Sequence, residues 1–234
     1  YSSYSSCRQY GEDLEAAREA SGVTAPRVKW IRRHHDHPGL IKPAADRLTE
    51  ALDRLPTNRR QDAVLAFSAH SIPTTMAAGC RYEAEVAEVA RLVAERVDPA
   101  GNHRREVVWQ SRSGPSGVPW LEPDVVNRIR TLAAEGVDAV AVSPIGFPVE
   151  NFEIAWDLDV EAAQAAEEYG MAFVRARTVD DDPRFVAMVA DLVVERTRRA
   201  VGERAALGVL SLALDTCPID CCLPPPNTLT TAPS

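Results

Sequence analysis

The chain has 234 residues, of which 45% are hydrophobic and 26% are charged, and its formal net charge is −8. This size and composition are ordinary for a soluble protein with one large or two small domains. The negative charge argues against nucleic acid as a partner, because phosphates are bound by clustered Lys and Arg. No apolar run approaches the ~20 residues of a membrane span, and no signal peptide is visible. We therefore expect a cytoplasmic protein, and we expect a monomer.

Helix and strand patterns alternate along the chain. The predicted helices are 5–20, 38–55, 82–97, 123–135, 153–169 and 183–201, and the predicted strands are 28–31, 63–67, 106–110, 137–142 and 172–176. The run at 63–67 is continuously apolar, as expected of a parallel strand that is covered on both faces. This order predicts an α/β fold with a doubly wound, mostly parallel sheet.

The first candidate site is the segment SAHSIP at 68–73, which directly follows the strand at 63–67. In open α/β sheets, ligands bind at the carboxyl ends of the strands. His70 is placed there between two serines that can orient its ring, and imidazole exchanges a proton near neutral pH or ligates a metal. The alternative is a polar turn residue without a chemical role, and this segment alone leaves both interpretations open.

A second candidate is a row of carboxylates that follows the strand at 137–142. Glu153, Asp157 and Glu161 are spaced by four residues, which places them along one side of a helix. Such a row suits a hard divalent cation or a path for protons. A solvated acidic helix face is the alternative, although the same stretch also carries Phe152 and Trp156.

The third element is the loop WQSRSGPSGVPWLEPD at 109–124, which follows the strand at 106–110. Trp109 could form the wall of a pocket for a flat apolar ligand, and Arg112 could bind an anionic group on that ligand. A rigid connection with aromatic packing explains the same composition equally well.

The five cysteines are unevenly distributed. Cys217, Cys221 and Cys222 are crowded into the C-terminal tail, whereas Cys7 and Cys80 stand alone. Neighbouring cysteines rarely form a disulfide with each other, because disulfide geometry requires a larger Cα separation. Without a secretion signal, the C-x3-C-C pattern indicates a soft-metal or iron–sulfur site.

Taken together and in this order, the segments at 68–73, 109–124, 143–147 and 153–162 resemble the signature segments of the ferrochelatases. The resemblance covers essentially the whole chain, and the cysteine tail is similar to the iron–sulfur variant in actinobacterial members. It implies two Rossmann-like halves with mostly parallel sheets and a porphyrin in the cleft between them. We expect residues 1–60 to be the remnant of an incomplete first half, 61–208 to be the second, and 209–234 to be the tail.

The resemblance also implies an activity, which is the insertion of ferrous iron, as substrate, into a porphyrin. His70 matches the histidine that faces the porphyrin centre, and Glu153 matches its acidic partner. Asp157 and Glu161 match the remaining members of a carboxylate path for iron, and Tyr10 matches a tyrosine that touches the porphyrin. Actinobacterial members are expected to metallate coproporphyrin III, which is more acidic than protoporphyrin IX.

A [2Fe-2S] cluster, which the cysteine tail implies, needs four thiolates. The three tail cysteines supply three, and Cys80, ten residues after His70, is the predicted fourth ligand. Cys7 is then expected to be a buried free thiol. A zinc ion held by the same ligands is the alternative.

The sequence departs from the family pattern in two ways. The segment Glu150-Asn151-Phe152 stands where the family has a sequence close to Ser-Asp-His, which removes one imidazole from the expected cleft. The chain also opens without the family's first strand–helix units, so we expect an N-terminally truncated member. Two other functions stay open, a chelatase for cobalt or nickel and a tetrapyrrole-binding or haem-binding protein without catalysis.

Overall fold

A four-stranded, all-parallel sheet organises the protein. The computed structural model describes residues 1–22, 25–115, 117–198, 204–218 and 220–225. In chain order the strands are β1 (Val64–His70), β2 (Arg105–Gln110), β3 (Ala139–Ser143) and β4 (Ala172–Arg175). Their spatial order is β2-β1-β3-β4, and every neighbouring pair is parallel. The predicted α/β class with a parallel sheet is confirmed.

Helices connect the strands and cover both faces of the sheet. In chain order they are α1 (Tyr10–Ser21), α2 (Pro38–Leu52), α3 (Thr57–Arg60), α4 (Thr74–Ala77), α5 (Tyr82–Val97), α6 (Val125–Ala134), α7 (Phe152–Trp156), α8 (Ala163–Glu168) and α9 (Pro183–Arg198). Two π-helical segments, Tyr4–Gln9 before α1 and Asp157–Ala162 between α7 and α8, make longer continuous helices.

The strand period of two divides the core into two layers. Leu65 and Phe67 point to the layer that holds α2 and α5, whereas Val64 and Ala66 point to the layer that holds α6, α7 and α8. Because β1 is central and buried on both faces, its first four residues are apolar, whereas Ser68 and His70 stand towards its carboxyl end.

Two predicted elements differ from the structure, and a third extends beyond its described part. The predicted strand at 28–31 is wrong, because this segment has no strand partner among the described residues, and the Trp30 carbonyl instead accepts a hydrogen bond from the Arg196 side chain. The predicted helix at 153–169 is interrupted by the π-helical segment. The last helix was predicted to reach 201, and its final three residues lie outside the described part of the chain.

Candidate functional site

His70 is the last residue of β1, so the sheet itself fixes its position. The register pairs it with Gln110, the last residue of β2. The Ser71 amide donates to the Gln110 carbonyl at 2.8 Å, and the Tyr82 hydroxyl donates to the His70 carbonyl at 2.8 Å. Two adjacent strand ends and one buried tyrosine therefore hold the histidine backbone.

The turn after His70 is tied to the far end of the 109–124 loop. The Leu121 amide donates to the Ile72 carbonyl at 3.0 Å, and the Thr74 amide donates to the Pro119 carbonyl at 3.0 Å. The buried Ser71 hydroxyl donates to the Leu121 carbonyl at 2.9 Å. Because these bonds connect two sequence-distant segments, the end of the SAHSIP turn and the loop form one rigid wall beside His70.

The histidine ring is oriented for use as a base. Its Nδ1 lies 2.5 Å from the Ser71 carbonyl oxygen. A carbonyl oxygen can only accept, so Nδ1 carries a proton, and in the neutral ring Nε2 is the nitrogen with the free lone pair. Nε2 lies 3.9 Å from Oε1 of Glu153, and the two side chains are 34% and 48% exposed. The pair is therefore accessible to a ligand from solvent.

The loop after β3 reaches this site by a close backbone approach. Gly146 donates its amide proton to the Ser68 carbonyl at 3.0 Å. A Cβ atom at this position would lie 2.6 Å from both Cα and Cβ of Ala69, so only glycine allows the contact. This approach brings the segment that leads to Glu153 against the end of β1.

The departure at Glu150-Asn151-Phe152 has a structural role. Asn151 caps α7, because its side chain accepts a hydrogen bond from the Ile154 amide at 2.9 Å. The Glu150 carboxylate binds the Arg175 guanidinium at 2.9 Å and accepts the Thr178 amide proton at 2.9 Å. These contacts fix the start of the helix that carries Glu153.

The predicted row of carboxylates divides into members with different surroundings. Asp157 is half-buried and accepts hydrogen bonds from the side-chain Nε2 of Gln110 at 3.3 Å and from the Ser111 hydroxyl. Asp159, two residues further on, forms a salt bridge with Arg175 at 2.6 Å. Glu161 is exposed, one turn further from the strand ends. The structure thus brings His70, Glu153 and Asp157 to one edge of the sheet.

The three predicted porphyrin contacts lie in different environments. Trp109 is 5% exposed, and its ring packs against Tyr82 with centroids 5.6 Å apart, so the ring belongs mainly to the core. Arg112 is exposed and donates to the Val118 carbonyl at 3.3 Å. Tyr10 is exposed at the start of α1.

The cysteines meet at a second place, which we call the cysteine groove. This groove has a volume of about 750 Å³ and lies between α1, residues 28–34 and the tail. Four thiols line it, namely Cys7, Cys217, Cys221 and Cys222. Cys7 is a free thiol, as predicted, but it is half-buried rather than buried and lines this groove.

Two thiols of the cysteine groove contact the same cation, and burial affects the other two. Arg33 Nη1 lies 3.4 Å from the Cys217 sulfur and 3.6 Å from the Cys7 sulfur. The Cys221 and Cys222 sulfurs lie 3.5 Å apart, and burial raises the pKa of both thiols. Cys80 is not among the lining residues; its thiol donates to the Met76 carbonyl, and burial raises its pKa as well.

The thiols of the cysteine groove are ligands that suit a soft metal. In the structure, however, they lie too far apart to hold one together. Within the described ranges, no three histidine, cysteine or carboxylate side chains stand close enough together to hold a metal ion. Sulfur ligands from the tail would have to close around the ion.

The protein has the architecture of parallel α/β proteins, which bind ligands at the carboxyl ends of their strands. A histidine and two carboxylates lie at that edge, and such side chains can exchange protons or bind a cation. The family model for ferrochelatase matches residues 1–197. The chain therefore belongs to the ferrochelatase family.

Individual relatives support the same assignment. The chain is 44% identical to the coproporphyrin III ferrochelatase of Streptomyces griseus over 95% of its own length and 64% of the relative's. It is 45% identical to the coproporphyrin III ferrochelatase of Nocardia farcinica, with 94% and 65% covered. It is 42% identical to a ferrochelatase of Rhodopirellula baltica, with 97% and 64% covered. The chain thus spans just under two thirds of the length of these relatives.

Sequence reasoning missed the residues that support the site. Gln110 and Ser111 stand in the same WQSRSG motif as Arg112, but their link to Asp157 crosses 46 positions or more of the chain. The signal that could have found them is a pair of polar side chains directly at the end of a buried strand. For Tyr82 the sequence indicates only an aromatic residue at the start of a helix, which does not predict its hydrogen bond to His70.

Proposed function

We propose that the protein to which this chain belongs inserts ferrous iron into a porphyrin, with coproporphyrin III as the preferred substrate. The observation that carries this proposal is the placement of His70 Nε2, which lies 3.9 Å from Oε1 of Glu153 at an accessible strand end. The family membership of the chain and the names of its relatives support the same reaction.

The reaction needs a base and an oxygen ligand in one place. Two pyrrole N–H protons leave the macrocycle while one Fe²⁺ enters, so the products are the iron porphyrin and two protons. His70 Nε2 accepts a pyrrole proton, because the Ser71 carbonyl keeps the other ring nitrogen protonated. The Glu153 carboxylate then takes up that proton or ligates the incoming cation.

The neighbouring carboxylates extend this site away from the macrocycle. Asp157 lies one helical turn beyond Glu153, and Glu161 lies one turn further, in a more exposed position. In our proposal, Fe²⁺ arrives along this row and passes from Asp157 to Glu153. Among the described residues, no lysine or arginine pairs with Glu153, Asp157 or Glu161, so their negative charge can attract a dication, whereas Asp159 is paired with Arg175 and is left out of the path.

The proposed contacts to the porphyrin are Arg112, Tyr10 and Trp109. Coproporphyrin III carries four propionates, and Arg112 is an exposed cation on the loop beside His70 that can bind one of them. Tyr10 has its ring free for an apolar contact. The buried Trp109 ring would support the wall of the porphyrin pocket by packing behind it. A monomer in the cytoplasm remains part of the same proposal, as does the division of the chain at about 60 and 208.

We also propose a [2Fe-2S] cluster in the cysteine groove, held by Cys217, Cys221, Cys222 and one further thiol. Cys80 is the fourth ligand predicted from the sequence, while Cys7 competes for this position because it lines the groove and shares Arg33 with Cys217. Bound there, the cluster would tie the tail to the body of the protein. Iron and acid-labile sulfide content of Cys7→Ala and Cys80→Ala identifies the fourth ligand, and bound zinc without sulfide would reject the cluster.

Anaerobic Fe²⁺ insertion, followed by visible absorption, tests the proposed function. The assay compares coproporphyrin III with protoporphyrin IX as substrates. It is run on this chain and on a full-length chimera, in which the chain is joined to the segments of the Streptomyces griseus relative that it does not cover. We expect insertion, faster with coproporphyrin III. Insertion of Co²⁺ or Ni²⁺ but not Fe²⁺ would reject the metal assignment, and porphyrin binding without insertion of any metal would reject the enzyme.

A further inference from the structure

We propose that Gln110 and Ser111 are positioning residues that hold Asp157 by one carboxylate oxygen and leave its other oxygen for the incoming cation. This inference rests on the proposed function and deepens it, because it assigns the groups that prepare the iron path. Neither residue was assigned a role by the sequence motifs.

The hydrogen bonds to Asp157 are one-sided. The Gln110 Nε2 group donates to Oδ2 at 3.3 Å, and the Ser111 hydroxyl donates to the same Oδ2. Within the described parts of the chain, no side chain bonds to Oδ1 of Asp157. Two donors on one oxygen fix the rotation of the carboxylate, and the remaining oxygen keeps its lone pairs for a hard cation.

Burial and the strand register hold the Gln110 side chain in place. It is 1% exposed, it is the last residue of β2, and the strand register places it directly beside His70. Its side-chain Oε1 is buried without a hydrogen-bond partner among the described residues. A buried unpartnered amide oxygen is costly, so a simple packing role would favour an apolar side chain at this position. Its geometry is instead explained by the donor group that reaches Asp157.

Ser111 adopts a backbone conformation that serine rarely takes. Its φ is 60°, in the left-handed region that favours glycine or asparagine. The turn directs the hydroxyl to Asp157 immediately after the strand ends. Glycine would relieve the backbone at this position but would lose the donor, so the two effects can be separated by mutation.

The contrast with Asp159 shows that the arrangement is selective. Both carboxylates lie in the π-helical segment, but Asp159 is bound on both oxygens by the Arg175 guanidinium. Asp157 receives neutral donors and therefore keeps its full negative charge for a cation. A hydroxyl and an amide are suited to this purpose, since a cationic partner would compete with Fe²⁺.

The decisive test compares Ser111→Gly with Ser111→Asn in the full-length chimera described above. Both residues tolerate the left-handed backbone, but only asparagine keeps an N–H donor. We expect Ser111→Gly to raise the KM for Fe²⁺ about tenfold, the equivalent of one hydrogen bond to a charged group. The KM for the porphyrin and the melting temperature should be unchanged, and Ser111→Asn should retain most of the wild-type KM for Fe²⁺.

The matched control is Thr131→Ala, which removes a hydroxyl that bonds only to the Asn127 carbonyl within α6. It should leave both KM values unchanged. A Ser111→Gly protein with wild-type KM for Fe²⁺ would overturn the proposal. So would a parallel rise of both KM values, because that result indicates a general distortion of the site.

A binding measurement separates this proposal from the proposed function. Mn²⁺ is titrated into wild type, Ser111→Gly, Asp157→Asn and Asp159→Asn and followed by its electron paramagnetic resonance signal. We expect weaker binding in Ser111→Gly and Asp157→Asn but not in Asp159→Asn, whether or not wild type inserts iron. Equal Mn²⁺ affinity in all four proteins would reject the positioning role, and wild type that binds Mn²⁺ in this pattern without inserting iron would reject only the proposed function.

Discussion

The strand-end site and the cysteine groove are built in opposite ways. His70 sits on a central strand, and backbone hydrogen bonds from three separate segments fix its surroundings. The thiols of the cysteine groove lie on a π-helical segment and on an irregular tail, and Arg33 contacts two of them, Cys7 and Cys217. The fold itself fixes the side chains of the first site, whereas the second would need a ligand to bring its thiols together.

This difference predicts different responses to change. Substitutions that disturb the backbone contacts at the strand ends should affect stability and iron insertion together, because the same contacts hold the sheet and the site. Changes in the cysteine groove should affect metal content first.

Gly146→Ala should have the largest effect. The added methyl group would lie 2.6 Å from the Ala69 backbone, so the loop must move away from β1. We expect the free energy of unfolding to fall by about 3 kcal/mol and iron insertion to be lost. Chemical denaturation and the insertion assay measure the two effects. Gly117→Ala, at a position with open space around it, is the control and should change neither.

Metal binding in the cysteine groove should depend steeply on pH. Burial raises the pKa of Cys221 and Cys222, so both thiols are protonated at neutral pH and must lose their protons to bind a metal. Apparent affinity for Zn²⁺ should therefore rise with pH, by about tenfold or more per unit between pH 6.5 and 8.5. A flat profile in a competition titration would show that these thiols are not ligands.

Asn151→Ala should have the smallest effect on stability. It removes the side-chain cap of α7, a loss of about 1 kcal/mol in the free energy of unfolding. Because α7 carries Glu153, we also expect a lower kcat for iron insertion. Asn151→Asp keeps the cap and should restore both values; a stable Asn151→Ala protein with wild-type kcat would separate the cap from the site.

The sequence was sufficient for the parts of the fold that depend on short periods. The apolar run at 63–67 and the order of the elements predicted the parallel sheet, and the strand ends located His70 and Glu153 on one edge. The segment at 28–31 failed because a strand needs a partner, and periodicity alone does not show whether one is present.

Contacts between distant segments were beyond the reach of sequence patterns. The clamp between Glu150 and Arg175 and the bond from Ser111 to Asp157 connect residues on different elements. Cys7 was left out of the predicted cluster because Cys80 was taken as the fourth ligand, yet folding brings Cys7 to the groove that the tail cysteines line. Such residues become visible only when the three-dimensional arrangement is known.

No helix within the described ranges combines the length and the apolar character that crossing a bilayer requires.

The most direct test of the central claim is the initial rate of anaerobic Fe²⁺ insertion into coproporphyrin III by His70→Ala. His103→Ala is the matched control, because His103 lies at the opposite end of the sheet, where its Nδ1 contacts the Ala63 carbonyl. We expect His70→Ala to lose at least about a hundredfold in rate, as for removal of a general base, with porphyrin binding retained. His103→Ala should keep the wild-type rate. A His70→Ala protein that inserts iron at the wild-type rate would contradict the account.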